Sequence, residues 1–474
     1  MAHTLKAYYY TDPATAVTVD FYGAVADNDG IAVTSYQMGV PGIEQARNNS
    51  LYSDSPRPTW SKHGTVVDVL TVDVRGSTNT NLYTNLHLLA KLGEYARKGT
   101  QNPYVKATPY LEIKPGGSAA GEVLYASIYD CRVELPPDWA NTNDARLTIE
   151  DITVTIERGI WQSAVSGTTT QNYASGAVVG ASSGSSAVDI AGDITALYAL
   201  TVTPTAAGTN ITNLVVGYRS KAMGGANYAS LGKKEAESQT NGTDTSDAAD
   251  VTASGGNKVE CTFGTTTVAT RLSGTGIPYG VHRVFARMKI TGDISATVNF
   301  KYQDLAGTNT VYAENADISV GSTTWYVYDL GVARYYESSI GAVADSTATG
   351  IWAIDALRYS GTSGNLDIDW VYFMPTEGYF TADRVTIGYT SLADLDKLEI
   401  SNTYRVLSAH IYHVNVLGGV APVTFTASFE PMPGPFALYW LLGTGTSTTF
   451  DTPITTLGTV ILETNPRYLM PSEI

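Results

Sequence analysis

Few residues in this sequence stand at spacings that support catalysis. Gly180-Ala181-Ser182-Ser183-Gly184 has the G-x-S-x-G spacing of a nucleophile elbow, which lifts a serine hydroxyl between a strand and a helix. Here it lies in a serine- and glycine-rich run without that context and reads as linker. His410 and His413 are three apart. On a strand, odd spacing sends two side chains to opposite faces, so this pair does not share a metal unaided. Asp27-Asn28-Asp29-Gly30 begins like a calcium loop but lacks the glutamate that closes one, and reads as a turn. No HExxH, phosphate-binding loop, paired CxxC, or GxGxxG opening a helix occurs. The expectation is a protein that is not an enzyme. Scattered acidic pairs keep a glycan hydrolase as the competing reading, because sequence does not give the separation of two carboxylates.

Composition narrows the classes further. The chain has 474 residues, enough for about three domains. With 43% hydrophobic, 10% aromatic and 16% charged residues, it is too aromatic and too weakly charged to be disordered over most of its length. Lys+Arg number 29 against Asp+Glu 45, a net charge of −16, and no segment gathers positive charge. Nucleic acid is therefore excluded as the main ligand. The 31 tyrosines against 10 phenylalanines suit sheets that are wet on one side. Two cysteines, Cys131 and Cys261, are too few for a disulfide scaffold and read as core thiols. Residues 1–6 have no apolar signal region, and the longest apolar run, Phe436 to Leu442, is too short for a helical membrane span. A soluble chain with no membrane partner is expected.

The elements that position these residues are mostly strands. Val66–Arg75 alternates, with Leu70, Val72 and Val74 on one face and Thr71, Asp73 and Arg75 on the other. Val123, Tyr125, Tyr129, Cys131, Val133 and Leu135 share an expected apolar face that ends at Pro136-Pro137. In 146–158, Leu147 and Ile149 are in phase, the pattern slips at Glu150-Asp151, and Ile152, Val154 and Ile156 resume, as a bulge requires. Val423, Phe425, Ala427 and Phe429 predict a late half-buried strand. One helix is expected over 82–98. Leu82, Leu86, Leu89, Leu92 and Ala96 form its stripe, Asn79, Thr80 or Asn81 its cap, and Gly99 its stop. The expected blocks are 1–161, a Ser/Gly/Thr-rich linker at 162–184, then 185–376 and 377–474.

The middle block carries a resemblance. Lys234-Glu235-Ala236-Glu237-Ser238 is followed by Gly280-Val281-His282-Arg283-Val284-Phe285-Ala286-Arg287, then Trp325-Tyr326-Val327-Tyr328, and closes with Leu366-Asp367-Ile368-Asp369-Trp370-Val371-Tyr372-Phe373. This order resembles β-jelly-roll carbohydrate-binding modules over roughly 230–374. The resemblance implies a structural calcium held by Glu235, Glu237 and Asp369, whose hard oxygens suit that ion. It also implies sugar stacking on aromatic rings, for which Tyr302, Trp325 and Trp352 are the candidates.

The flanking blocks resemble a different family. Strand Val66–Arg75, the helix, strand Tyr110–Lys114, the long strand after Val123, "LTIEDITVTIERGIW" and a final Asn465-Pro466-Arg467-Tyr468 follow the order of the belt domain of distal tail and minor tail proteins of long-tailed bacteriophages. The resemblance implies a mainly β protein. Its parts are a β-sandwich or belt domain with one helix, an inserted β-jelly-roll module and a C-terminal β segment. It further implies a ring homo-oligomer, a hexamer, at the virion tail tip, made in the host bacterial cytoplasm. The partners would be other phage tail proteins and host cell-surface polysaccharide. A stand-alone lectin-like binding protein is the remaining alternative.

Overall fold

The computed structural model describes residues 4–12, 15–21, 29–48, 57–101, 109–114, 123–137, 147–163, 171–173, 179–181, 188–204, 211, 213–220, 232–264, 267–277, 280–303, 310–313, 317–335, 350–376, 383–386, 397–401, 408–412, 420–422, 433–445, 449–451 and 458–469. The protein is mainly β, with antiparallel sheets and, among the described residues, one α-helix. No helix among them is long and apolar enough to cross a membrane. Two compact units emerge. One comprises residues 1–167, 192–194 and 465–474, and the other 168–191 and 195–464. These boundaries differ from the expected blocks. The 162–184 segment contains two short strands, Gln171–Tyr173 paired with Val460–Leu462 and Val179–Ala181 paired with Tyr439–Leu441.

In the first unit, strands Thr15–Asp20, Thr4–Asp12, Tyr110–Lys114, Leu124–Glu134 and Trp161–Ser163 lie side by side, and Trp161 pairs with Tyr468. A second set runs Gly30–Gln37, Val66–Arg75, Thr148–Arg158, and again Leu124–Glu134. Leu124–Glu134 joins both sets because its register shifts between Ile128 and Asp130. That shift overturns part of the expected pattern. Before it, Leu124, Ala126 and Ile128 point into the core; after it, Cys131 does, so Tyr125 and Tyr129 are left half-buried.

The slip expected at Glu150-Asp151 is a bulge. Asp151 has φ 59°, the register shifts opposite Val72 and Val74, and Ile149, Ile152, Val154 and Ile156 all reach the core. The helix spans Asn79–Gln101 and buries Leu82, Leu89, Leu92 and Ala96. Its cap lies one residue before the expected ones, Thr78 Oγ1 accepting from Asn81 N at 3.2 Å, and Gly99 does not stop it. Gly93 lets the helix approach the sheet, since a Cβ there would lie 2.6 Å from the Cys131 carbonyl oxygen. Asp29, expected in a turn, accepts hydrogen bonds from Ser77, Asn81 and Asn85 and ties the start of strand Gly30–Gln37 to the helix.

The second unit holds a β-sandwich. One sheet has the order Thr240–Asn241, Ala269–Ile277, Gly350–Ser360, Ser295–Gln303, Thr310–Tyr312, with Ile318–Val320 also beside Ser295–Gln303. The other runs Thr245–Ala249, Asn257–Thr262, Gly364–Thr376, Gly280–Gly292, Tyr326–Tyr335, and continues through Thr449–Asp451, Gly434–Gly445, Asn213–Ser220 and Asp383–Thr386. Three strands of the expected C-terminal block, Asp383–Thr386, Gly434–Gly445 and Thr449–Asp451, extend the same sheet. Phe436–Leu442 lies within strand Gly434–Gly445. The late strand expected at 423–429 lies outside the described residues, as do His413 and Ser182 to Gly184.

Candidate functional site

The rings expected to stack on sugar are in the interior. Trp352 is fully buried, 6.1 Å from Phe300 and 5.5 Å from Phe373 between ring centroids. Tyr302 is 5% exposed on the same inner face. Trp325 is also 5% exposed; its Nε1 donates to Thr252 Oγ1 at 2.9 Å and its ring covers Lys289 and Arg287 at 4.4 and 5.1 Å. A ring that solvent does not reach offers no face to a sugar. All three rings therefore lie away from solvent: alternation turns Trp352 and Tyr302, with Ile354, Ala356 and Phe300, toward the opposite sheet, and Trp325, just before strand Tyr326–Tyr335, is enclosed by Thr252, Arg287 and Lys289.

The other face of the six-stranded sheet carries polar groups arranged around Asp355, which is itself only 4% exposed. Asp355 pairs in register with Thr270 on one side and Asn299 on the other. Its Oδ1 accepts from Thr270 Oγ1 at 2.7 Å, and its Oδ2 lies 2.7 Å from Lys301 Nζ. Lys301 also donates to Thr270 Oγ1 at 2.9 Å. Asn299 Nδ2 donates to Asp317 Oδ1 at 3.0 Å, and Asp317 N returns a bond to Asn299 Oδ1. Thr270, Asp355 and Lys301 thus join three strands in one network, and Asn299 and Asp317 form a separate pair. Around it stand exposed apolar groups: Tyr312, directly opposite Lys301, Ile351, and Tyr359, 53%, 47% and 77% exposed. From Ile351 to Tyr359 the strand runs roughly 26 Å at 3.3 Å per residue, the length of several sugar rings. The alternation of Gly350–Ser360 gives Ile351 and Asp355 the parity opposite to Trp352, and a register shift at Arg358–Ser360 takes Tyr359 out of that alternation.

The carboxylates of the implied calcium site lie on the other sheet. Asp369 is fully buried; its Oδ2 accepts from Arg287 Nη1 at 2.5 Å and its Oδ1 from Ser254 N at 2.9 Å. Burial raises the Asp369 pKa against the pull of Arg287. Glu235 pairs with Lys233 and accepts from Ser254 Oγ at 3.0 Å. Burial likewise raises the pKa of Glu237. Glu235 and Glu237 each keep one buried oxygen without a hydrogen-bond partner, which a hard cation would accept, but both Asp369 oxygens are engaged. Among the described residues no three His, Cys, Asp or Glu side chains form a group that could hold a metal ion. As placed, the implied set does not close around calcium.

In the first unit an open apolar groove of about 420 Å³ lies between the helix and the end of the long strand, lined by Tyr83, Leu86, His87, Ala90, Val133 and Leu135. The hairpin Ile43–Asn48 and Arg57–His63 is a two-stranded sheet of its own, and Val40 and Ile43 at its root are 59% and 64% exposed.

No protein-family model matches the chain, and no curated protein matches it in sequence. Among solved structures, the chain is similar to the SPP1 Dit protein, titled a paradigm of the hub adsorption apparatus in phages infecting Gram-positive bacteria. That likeness has 9% identity and a TM-score of 0.26, covering 76% of this chain and all of that one. It is similar to a chain of the phage p2 baseplate in its activated conformation, at 8% identity and TM-score 0.23, covering 80% of this chain and all of that one. It is also similar to the CBM22-1 xylan-binding domain of Paenibacillus barcinonensis Xyn10C, at 13% identity and TM-score 0.21, covering 36% of this chain and all of that one. The structural neighbours thus include phage hub and baseplate proteins and a carbohydrate-binding module. Scores and identities this low do not establish a common fold with any of them.

Proposed function

We propose that this chain is a structural, non-enzymatic protein of a bacteriophage tail tip that assembles as a ring, a hexamer, and presents a glycan-binding sheet face for attachment to host cell-surface polysaccharide. The observation that carries the glycan part is the outer face of the six-stranded sheet, where Lys301 and Thr270, held by the buried Asp355, and the Asn299–Asp317 pair accompany exposed Tyr312 and Tyr359. Sugars offer flat CH faces to aromatic rings and hydroxyls to fixed polar groups, and this face holds both. The order of elements in the flanking blocks supports the tail-protein part. The ring rests on exposed Val40 and Ile43, at the root of a hairpin that pairs with no other strand among the described residues, and on the apolar groove, since closed cyclic symmetry covers such surfaces without forming fibres. Each site would bind weakly, and a ring would gain avidity by presenting several copies to one surface.

Light scattering with electron microscopy of the purified protein tests the ring. Rings of uniform copy number are expected, and a monomer at high concentration refutes the assembly. Sedimentation with cell-wall polysaccharide tests the face. Tyr312→Ala and Tyr359→Ala should each weaken co-sedimentation several-fold with an unchanged melting midpoint. Undiminished binding by the double substitution would remove this face from the account.

A further inference from the structure

The jelly-roll resemblance implies a bound calcium, and the geometry of the same place disagrees. We infer that the Arg287 guanidinium takes the role of that ion, closing the acidic end of the sandwich as a cation built into the chain.

A structural calcium gathers six to eight oxygens and neutralises carboxylates that would otherwise repel one another. Here Asp369, on the last strand of the sandwich, receives its positive charge from Arg287 on the neighbouring strand, at 2.5 Å and out of contact with water. The same guanidinium donates to the Thr252 carbonyl at 3.2 Å and stands 3.8 Å from Asp451 Oδ1. One group therefore ties together the last strand, the 250–256 turn and strand Thr449–Asp451. Ser254 completes the closure, its backbone N–H on Asp369 and its hydroxyl on Glu235.

The surroundings hold buried cations, with Arg287 bonded through Nη1 while its Nε keeps no hydrogen-bond partner. Trp325 lies over Arg287 and Lys289 with its indole N–H fixed to Thr252, so an aromatic face shields the cations from water. The neighbouring acids have bases of their own. Lys289 holds Asp250 at 2.5 Å, Lys258 holds Asp367 at 2.6 Å, and Lys233 holds Glu235. A divalent ion reaching Asp369 would have to displace Arg287 and would meet its charge at close range.

Thermal melting of the full chain decides the matter, with metal content measured on the same preparation. With calcium or with a chelator, the wild-type midpoint should differ by less than ~1 °C, and the dialysed protein should hold no calcium. A midpoint that falls several degrees in chelator, with one calcium retained per chain, overturns the inference, because a resident ion stabilises by mass action. Arg287→Gln leaves the Asp369 carboxylate buried without its cation. It should melt lower than wild type, with or without added calcium. Arg287→Gln that melts like wild type in chelator would show that no cation is needed there and would also overturn it. If that variant does not fold, the wild-type comparison and its metal content still decide.

Discussion

Arg158 grips Asp68 with two nitrogens, Nε to Oδ2 at 2.5 Å and Nη2 to Oδ1 at 3.1 Å, at a depth where neither side chain touches solvent. The carboxylate is further satisfied by Tyr36 Oη at 2.8 Å and Gly39 N at 2.8 Å, and the guanidinium lies 4.3 Å from the Trp161 ring centroid. The pair links strands Val66–Arg75 and Thr148–Arg158 to Tyr36 and Gly39, in the segment that leads into strand Ile43–Asn48. Removing one partner leaves the other as an uncompensated buried charge, which costs about 3–5 kcal/mol. Arg158→Met should therefore lower the unfolding midpoint sharply in thermal melts. Arg158→Met with Asp68→Leu should recover much of the loss, and equal stability of wild type and Arg158→Met would refute this account.

Trp352 separates packing from recognition. It fills the middle of the sandwich core against Phe300 and Phe373, so Trp352→Ala should destabilise by about 3–5 kcal/mol, the range for emptying a buried aromatic site. Trp352→Phe should keep polysaccharide co-sedimentation near wild type, whereas Tyr312→Ala should lose it while melting normally. A folded Trp352→Phe that lost binding would point to a sugar site on the inner face.

Acid should loosen the 250–256 turn. Burial works to raise the Asp250 pKa, but bonds from Lys289 Nζ and from Thr252 outweigh it and lower the value from 3.8 to about 2. A folded pKa below the unfolded one means stability that is present above pH 3.8 and lost as pH falls toward 2. Its size is on the order of 1–3 kcal/mol. The midpoint of wild type should drop more steeply over that window than that of Asp250→Asn; parallel profiles would count against the linkage.

Both thiols should be silent in the native protein. Burial pushes Cys131 and Cys261 from 9.0 up to about 12, and neither is in a disulfide. At pH 8 the thiolate fraction is then on the order of 10⁻⁴, and the thiolate is the reactive form. Mass spectrometry after iodoacetamide should find no adduct on native protein and two on denatured protein. Rapid native labelling would show that one of these sites opens.

Local pattern alone determined much of this protein. The apolar periods in 82–98 and 66–75 each specify an element, because a helix or strand with a one-sided apolar pattern has few other ways to bury it. The slip at Glu150-Asp151 was legible for the same reason, since an extra residue must shift the phase. Tertiary structure decided what those patterns leave open. A strand buried on both faces, such as Gly364–Thr376, gives no parity signal, so sequence does not tell which side Asp367 and Asp369 occupy or what meets them. Arg287 reaches Asp369 across 82 residues of chain, and Lys301, Thr270 and Asp355 converge from three strands. Sequence gave the large rings Trp325 and Trp352 a functional reading because of their type. Packing of the two sheets buried Trp352, contacts with Thr252, Arg287 and Lys289 enclosed Trp325, and the smaller Tyr312 and Tyr359 were left facing water. Side-chain alternation is a local property, but which of its two faces is covered depends on the sheet that packs against it, and that is a property of the whole chain.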